Sequence, residues 1–234
     1  MTSTTDYRSL SPAELATFIQ HTKISVGLTR ADMIAHAEEA ARFGFGAAMV
    51  PGSWVRTVAD VLAGTGVPVA SALDFPTVGV MTSAGKAAEA AELVRLGATQ
   101  IDIGVQIGWL KSGEHDLFRE DIAGVVRASG VPIKVMLELP LLTPEEREIA
   151  VELSIEAGAA YLKNASSGQI ETASPENIRF LAARAPDGVL VKASGSITRY
   201  EQTIALLEAG AACVGSSAGI EILNNTADAL TESY

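Results

Sequence analysis

Apolar and polar positions follow two different periods along this chain, and the alternation between the periods itself repeats. Short runs rich in Val, Ile and Ala, such as "VPVASALDF" (67–75), "TQIDIGV" (99–105) and "PIKVMLEL" (132–139), each lead into a loop of small or polar residues. An Ala/Glu/Leu-rich stretch follows, with apolar residues every three to four positions. The runs have the length and β-branched content of strands, the stretches the period of helices. The same pattern predicts strands at "HTKIS" (21–25), "GAAMV" (46–50), "AYLKNA" (160–165), "GVLVKAS" (188–194) and "ACVGS" (212–216).

Helix boundaries are marked chemically. In "LTPEEREIAVELSIEAG", Thr143 is placed to cap, Pro144 to start and Glu146 to close a capping box, with Gly158 as the stop. Ser174 and Pro175 open another helix, while Gly97 and Gly210 end two more. "SPAELATFIQ" (11–20) predicts a further capped helix ahead of the first strand. Eight β–α units without a Pro/Gly/Ser-rich linker indicate one domain over 1–234, with 1–10 and 225–234 as flexible tails. The expected fold is α/β, a (β/α)8 TIM barrel with an extra N-terminal helix; a doubly wound open sheet is the other arrangement. Strands that are apolar almost throughout suit a parallel sheet covered by helices. In a barrel the functional groups gather at the C-terminal strand ends.

Side chains two apart on a strand share a face. By that parity Asp102, Gly104 and Gln106 fall together, as do Lys134, Met136 and Glu138; Tyr161, Lys163 and Ala165; and Leu190, Lys192 and Ser194. Four consecutive strands thus carry ionisable groups on one parity, assigned here to the barrel interior. Unpaired buried charge costs roughly several kcal/mol, so these groups must meet one another or a wet pocket. They could form an internal ion-pair network that only holds the barrel. Three lysines against two carboxylates, however, leave a surplus positive charge, and neighbouring lysines in a desolvated site push one amine toward its free form. A free amine attacks carbonyls to give a Schiff base, and the other lysine and an aspartate can move protons.

Composition narrows the classes. The formal net charge is −11 with 17 Lys and Arg against 28 Asp and Glu, and no basic patch is visible, which argues against nucleic-acid or anionic-membrane partners. The single cysteine, Cys213, rules out a disulfide within the chain and a cysteine metal cluster. The start of the chain lacks a signal-peptide pattern and no run reaches roughly 18 apolar residues, so a cytoplasmic location is expected. The three histidines, His21, His36 and His115, sit on separate elements without ligand spacing, and no metal is expected. His36 and His115 read as solvent-facing helix residues, and His21 as within reach of the barrel mouth.

At these residues the chain resembles the deoxyribose-phosphate aldolase family of class I, Schiff-base aldolases. The resemblance rests on an ordered set: "IQHTKI", "FGFGAAMVPGSWV", "FPTVGVMTSAGKAAEAAELVRLGATQIDIGVQIGWLKSG", "IKVMLEL", "AGAAYLKNASSG", "VLVKASGSIT" and "GAACVGSSAGIEIL", spanning about residues 19–223. It implies a (β/α)8 barrel acting on an aldehyde or sugar phosphate, with Lys163 as the imine-forming lysine and Lys192 as the lysine that lowers its pKa. Asp102 would be the carboxylate of the proton relay, and no cofactor would be needed. It further points to Tyr234, the last residue, as a proton donor on a C-terminal tail. Thr22, Gln20, Gln106, Lys134, Glu138, Ser166, Gly168, Gly195, Ser196, Gly215, Ser216 and Ser217 are the expected substrate-binding residues. The resemblance leaves room for a homodimer or higher homo-oligomer.

The chain departs from the family pattern around the lysines. Gln20 stands where an acidic residue is usual, Gln106 replaces an asparagine, and Leu139 a threonine. After Lys163 the loop Asn164-Ala165-Ser166-Ser167-Gly168-Gln169 is one residue longer and uncharged. After Lys192 a double glycine gives way to Gly195-Ser196. A phosphate would therefore be held by backbone N–H groups and hydroxyls of "SGSIT" and "GSSAG", without the stronger charge-assisted bonds of added cations. Reversible cleavage of 2-deoxyribose 5-phosphate is the leading expectation. A diverged aldolase or carbon–carbon lyase for a different, unphosphorylated carbonyl compound, a silent metabolite-binding barrel, and an isomerase or decarboxylase on the same fold stay open.

Overall fold

A computed structural model of the protein describes residues 5–224. Eight parallel strands close on themselves in chain order. They are β1 (Ile19–Thr22), β2 (Ala47–Val50), β3 (Val69–Leu73), β4 (Gln100–Gly104), β5 (Ile133–Met136), β6 (Tyr161–Lys163), β7 (Leu190–Ser194) and β8 (Cys213–Ser216). The last strand pairs back onto the first through Ile19↔Val214, Gln20↔Gly215 and His21↔Ser216, which excludes the open sheet and leaves no strand edge to protect. Helices α2 (Arg30–Phe43), α3 (Val55–Leu62), α4 (Ser83–Leu96), α5 (Ile107–Lys111), α6 (His115–Ser129), α7 (Pro144–Glu156), α8 (Pro175–Ala182) and α9 (Tyr200–Glu208) lie in the connections. The extra N-terminal helix is α1 (Pro12–Ala16).

That first helix is shorter than its sequence pattern. It stops at Ala16 instead of Gln20, and β1 starts at Ile19 instead of residue 21. The reason is non-local: Ile19 and Gln20 are needed in register against Val214, Gly215 and Ala47 to close the barrel. Residues 7–9 form a 3-10 turn, pinned by the Tyr7 ring edge-on to Phe18 and by Arg8 paired with Glu208 at 2.9 Å.

Caps behave as their residue types dictate. Thr143 accepts from the Glu146 N–H while the Glu146 carboxylate accepts from the Thr143 N–H, and Gly97 ends α4 in the left-handed region. Each such N-cap contributes about 1 kcal/mol.

One apolar core joins the outer strand face to the helices. Ile101, Ile103, Ile133, Val135, Leu162, Val191 and Val214 pack there with Leu93, Phe118, Ile122, Val125, Ile178 and Ile204, all buried. Burying each large aliphatic side chain contributes roughly 1.5–3 kcal/mol. The inner face is divided. Ala47, Met49 and Ala70 on β2 and β3 form a small apolar cluster with Ile24 and Ala72, whereas β4 to β7 carry Asp102, Lys134, Lys163 and Lys192 inward. The interior is therefore apolar on one side and charged on the other.

Candidate active site

Register brings the charges together. Asp102 on β4 pairs with Lys134 on β5, and Lys163 on β6 with Lys192 on β7. Lys163 Nζ and Lys192 Nζ both donate to Asp102 Oδ2, at 2.9 and 2.7 Å, and Lys134 Nζ lies 3.7 Å from Asp102 Oδ1. All four side chains are buried, Asp102 and Lys134 completely. Burial alone pushes the Asp102 carboxyl upward, but Lys163, Lys192 and Lys134 together hold it well below the usual range. Burial also lowers the Lys163 amine; Asp102 opposes that shift and the Lys192 charge adds to it. Lys134 is pushed down to about 8, again chiefly by burial. The cluster is an anion clasped by amines, two of which, Lys163 and Lys192, open onto a cavity.

That cavity, of about 1020 Å³, reaches Asp102, Lys163 and Lys192. Of the expected substrate-binding residues, Thr22, Ser166, Gly168, Gly195, Ser196, Gly215, Ser216 and Ser217 line it. Its opposite side carries Met49, Ala72, Phe75 and Pro76. Gly195 is required by space and by backbone: a Cβ there, at φ +121°, would lie 2.0 Å from the Glu171 carbonyl oxygen, while one at Gly215 would crowd Ser194 Oγ at 2.8 Å and Lys192 Cε at 3.1 Å.

Four expected binding residues do not line the cavity. Gln20 accepts from Lys192 Nζ at 2.6 Å, and Lys134 donates to Gln100 at 2.7 Å, both beneath the lysines. Gln106 donates to the Met81 carbonyl at 2.7 Å. Glu138 accepts from the Ser166 N–H at 2.9 Å, because β5 ends at Met136 and Glu138 turns away at φ +51°, which breaks the strand parity. Burial raises the Glu138 carboxyl, with the bonds from Ser166 opposing. Tyr234 lies outside the described residues.

The histidines are a second correction. His36 is only 1% exposed, not solvent-facing, and His21 stacks against both His36 and Phe45, with centroids 4.4 and 4.5 Å apart. Burial pushes the His36 imidazole down to about 3. His21 Nε2 lies 3.2 Å from Glu39 Oε2, so the three side chains do cluster.

Two features escaped the sequence reading. Lys86, on α4, is fully buried and donates to the Gly104 carbonyl at 2.8 Å and to Asp121 at 2.5 Å, with Asp74 at 3.2 Å. Asp74 in turn accepts from the backbone N–H groups of Gly79, Val80 and Met81, fixing the loop that carries Phe75 and Pro76. Asn164, next to Lys163, accepts from the Ser194 N–H and donates to the Ser194 carbonyl, both at 2.9 Å, tying β6 to β7 just above the lysines.

No protein-family model matches the chain. It is, however, 41% identical over 211 residues to the deoxyribose-phosphate aldolase of Methanothermobacter thermautotrophicus, a match covering 90% of this chain and 94% of that protein. This chain belongs to the deoxyribose-phosphate aldolase family. The aldolase of that name from Thermosynechococcus vestitus is 38% identical over 210 residues, covering 90% of this chain and 96% of the relative. The solved deoxyribose phosphate aldolase of Aeropyrum pernix, described as a unique tetramer, has a TM-score of 0.85 at 28% identity, covering 94% of this chain and 93% of that one. A deoxyribose-phosphate aldolase barrel thus surrounds the buried lysines, and among the described residues no helix is long and apolar enough to cross a membrane.

Proposed function

We propose that this chain is a class I aldolase that reversibly cleaves 2-deoxyribose 5-phosphate to acetaldehyde and glyceraldehyde 3-phosphate through an imine on Lys163. One observation carries the assignment of roles. Lys163 and Lys192 share Asp102 Oδ2 where the cavity reaches them.

The Lys163 amine, lowered by burial and by the Lys192 charge, adds to the C1 aldehyde of the open-chain sugar. Loss of water from the carbinolamine gives an iminium. A base takes the C3 hydroxyl proton, the C2–C3 bond breaks, and its electron pair moves into the enamine toward nitrogen. Glyceraldehyde 3-phosphate leaves, C2 of the enamine takes a proton, and water returns to release acetaldehyde and the free lysine. Asp102 and Lys192, already joined at 2.7 Å, are the pair in reach to pass protons at the Lys163 nitrogen. The sugar phosphate would extend from Lys163 toward the hydroxyls of Ser196 and Ser217 and the backbone N–H groups around Ser216.

Borohydride reduction in the presence of acetaldehyde, followed by peptide mass mapping, tests the assignment. A reduced adduct on Lys163 that disappears in Lys163→Met is the expected result. Absence of any adduct, with cleavage surviving in Lys163→Met, would defeat it. The tetrameric Aeropyrum pernix relative supports a homo-oligomer for this chain as well, which light scattering on the purified protein tests.

A further inference from the structure

Lys134 and Lys192 are linked below the cavity by two neutral side chains. Lys134 Nζ donates to Gln100 Oε1 at 2.7 Å, Gln20 Nε2 donates to the same oxygen at 2.8 Å, and Gln20 Oε1 accepts from Lys192 Nζ at 2.6 Å. The direction of this chain is fixed. An ammonium has only donors, so Gln100 must turn its oxygen toward Lys134; the Gln20 group meeting that oxygen must then be its NH2, which leaves the Gln20 oxygen for Lys192.

Charge makes the choice of amides consequential. Three lysines face a single carboxylate, Asp102, in a buried space. The other ionisable groups around them are Glu138 beyond β5, Tyr161 on β6, whose ring centroid lies 5.0 Å from Lys134 Nζ, and the buried Cys213 thiol on β8, which is paired in register with Lys192. β2 and β3 present only Ala47, Met49, Ala70 and Ala72. A carboxylate at position 20 or 100 would hold the lysines equally well but would bind their protons more tightly.

We infer that Gln20 and Gln100 are positioning residues whose neutral oxygens fix Lys192 and Lys134 without adding negative charge, and so keep the Lys163 amine reactive at lower pH. The inference rests on Lys163 being the imine-forming residue.

The test is the pH dependence of borohydride-trapped adduct formation at Lys163 with acetaldehyde, in wild type, Gln20→Glu, Gln100→Glu and Gln20→Leu. Each carboxylate variant should move the midpoint of the acid limb upward, Gln20→Glu by about 1 pH unit because it offsets the Lys192 charge beside Lys163, and Gln100→Glu by less because it meets Lys134. Gln20→Leu should slow trapping without that upward shift, since Lys192 keeps only Asp102 as an acceptor and gains no charge. A purely structural role would lower the melting temperature and leave the midpoint in place. Unmoved midpoints in both folded carboxylate variants would overturn the inference. Gln100 is only half-buried, so Gln100→Glu carries the test if Gln20→Glu does not fold. A wild-type protein that gives no Lys163 adduct would instead sink the imine assignment itself, so the two failures are distinguishable.

Discussion

Lys163 and Lys192 donate to one and the same atom, Asp102 Oδ2, from adjacent strands. A shared acceptor keeps the two nitrogens close while their charges oppose each other, and it places one carboxylate oxygen between them. Lys192 has a second acceptor of its own in Gln20 Oε1, at 2.6 Å.

The first prediction concerns that oxygen. Asp102→Asn keeps the shape but leaves Lys134, Lys163 and Lys192 without an anion, and breaking a buried ion cluster from one side costs about 3–5 kcal/mol. A clear drop in denaturant midpoint should accompany loss of at least about 100-fold in aldol cleavage, the usual scale for a group engaged in proton transfer. A variant with unchanged stability and near wild-type turnover would show that the carboxylate serves neither purpose.

A second prediction follows from Lys134, whose pKa falls to about 8 in the folded chain. The unfolded lysine titrates near 10.4, so between about 8 and 10.4 the unfolded state binds more protons and stability rises with pH. That contribution is lost as pH falls through 8. Urea midpoints recorded from pH 7.5 to 10.5 should climb in wild type and climb less in Lys134→Met. Parallel curves for the two proteins would contradict the buried position of this amine.

The third concerns Lys86, which holds Asp74 and Asp121 inside the protein and also meets the Gly104 carbonyl. Lys86→Met leaves two buried carboxylates without their cation, and a loss of about 3–5 kcal/mol is expected. Because Asp74 fixes residues 79–81 of the loop bearing Phe75 and Pro76, KM for the aldolase reaction should rise more than kcat falls. Equal melting temperatures would refute the first part, and a change confined to kcat the second.

The stacked histidines give a fourth. His36 titrates near 3 when folded and near 6.5 when free, so the unfolded state takes up a proton in between and stability declines as pH falls from about 6.5 toward 3. His36→Leu removes that source of acid sensitivity. Its acid-unfolding midpoint should shift to lower pH, read by circular dichroism, while activity at pH 7.5 is largely retained. A midpoint that stays put would mean His36 is not titrating in this way.

Much of this was legible before any coordinates. The strands stand out because both their faces are buried, and inward parity alone collected Asp102, Lys134, Lys163 and Lys192. Gln100 shares the parity of Asp102, so the same rule reaches it once polar residues are weighed beside charged ones. What stayed hidden depends on distant partners. Lys86 reads as a surface helix lysine until Asp121, 35 positions on, is packed against it. His36 needed His21 and the fold of α2 over β1. Glu138 misled because the strand ends two residues earlier, and the start of β1 because its register is set by the last strand, not by its neighbours in sequence.

The final prediction concerns the far end of the cavity. In the loops after β6, β7 and β8 the cavity is lined by Ser166–Gln169, Ser194–Thr198 and Gly215–Ser217, which carry no charge, and the charged lining residue beyond them is the carboxylate Glu221. A phosphate there depends on hydroxyls and oriented N–H groups, so it is sensitive to any added anion. Ser217 is exposed and its side chain is free to change without disturbing the core, whereas the Ser216 hydroxyl is committed to the Ile197 carbonyl at 2.6 Å. Ser217→Asp should raise KM for 2-deoxyribose 5-phosphate by about tenfold or more, equivalent to roughly 1.4 kcal/mol, with little effect on kcat. Cleavage of unphosphorylated 2-deoxyribose, which brings no anion to that end, should be nearly unchanged. An equal loss on both sugars would place the effect at the lysines instead, and no loss on either would move the phosphate away from these loops.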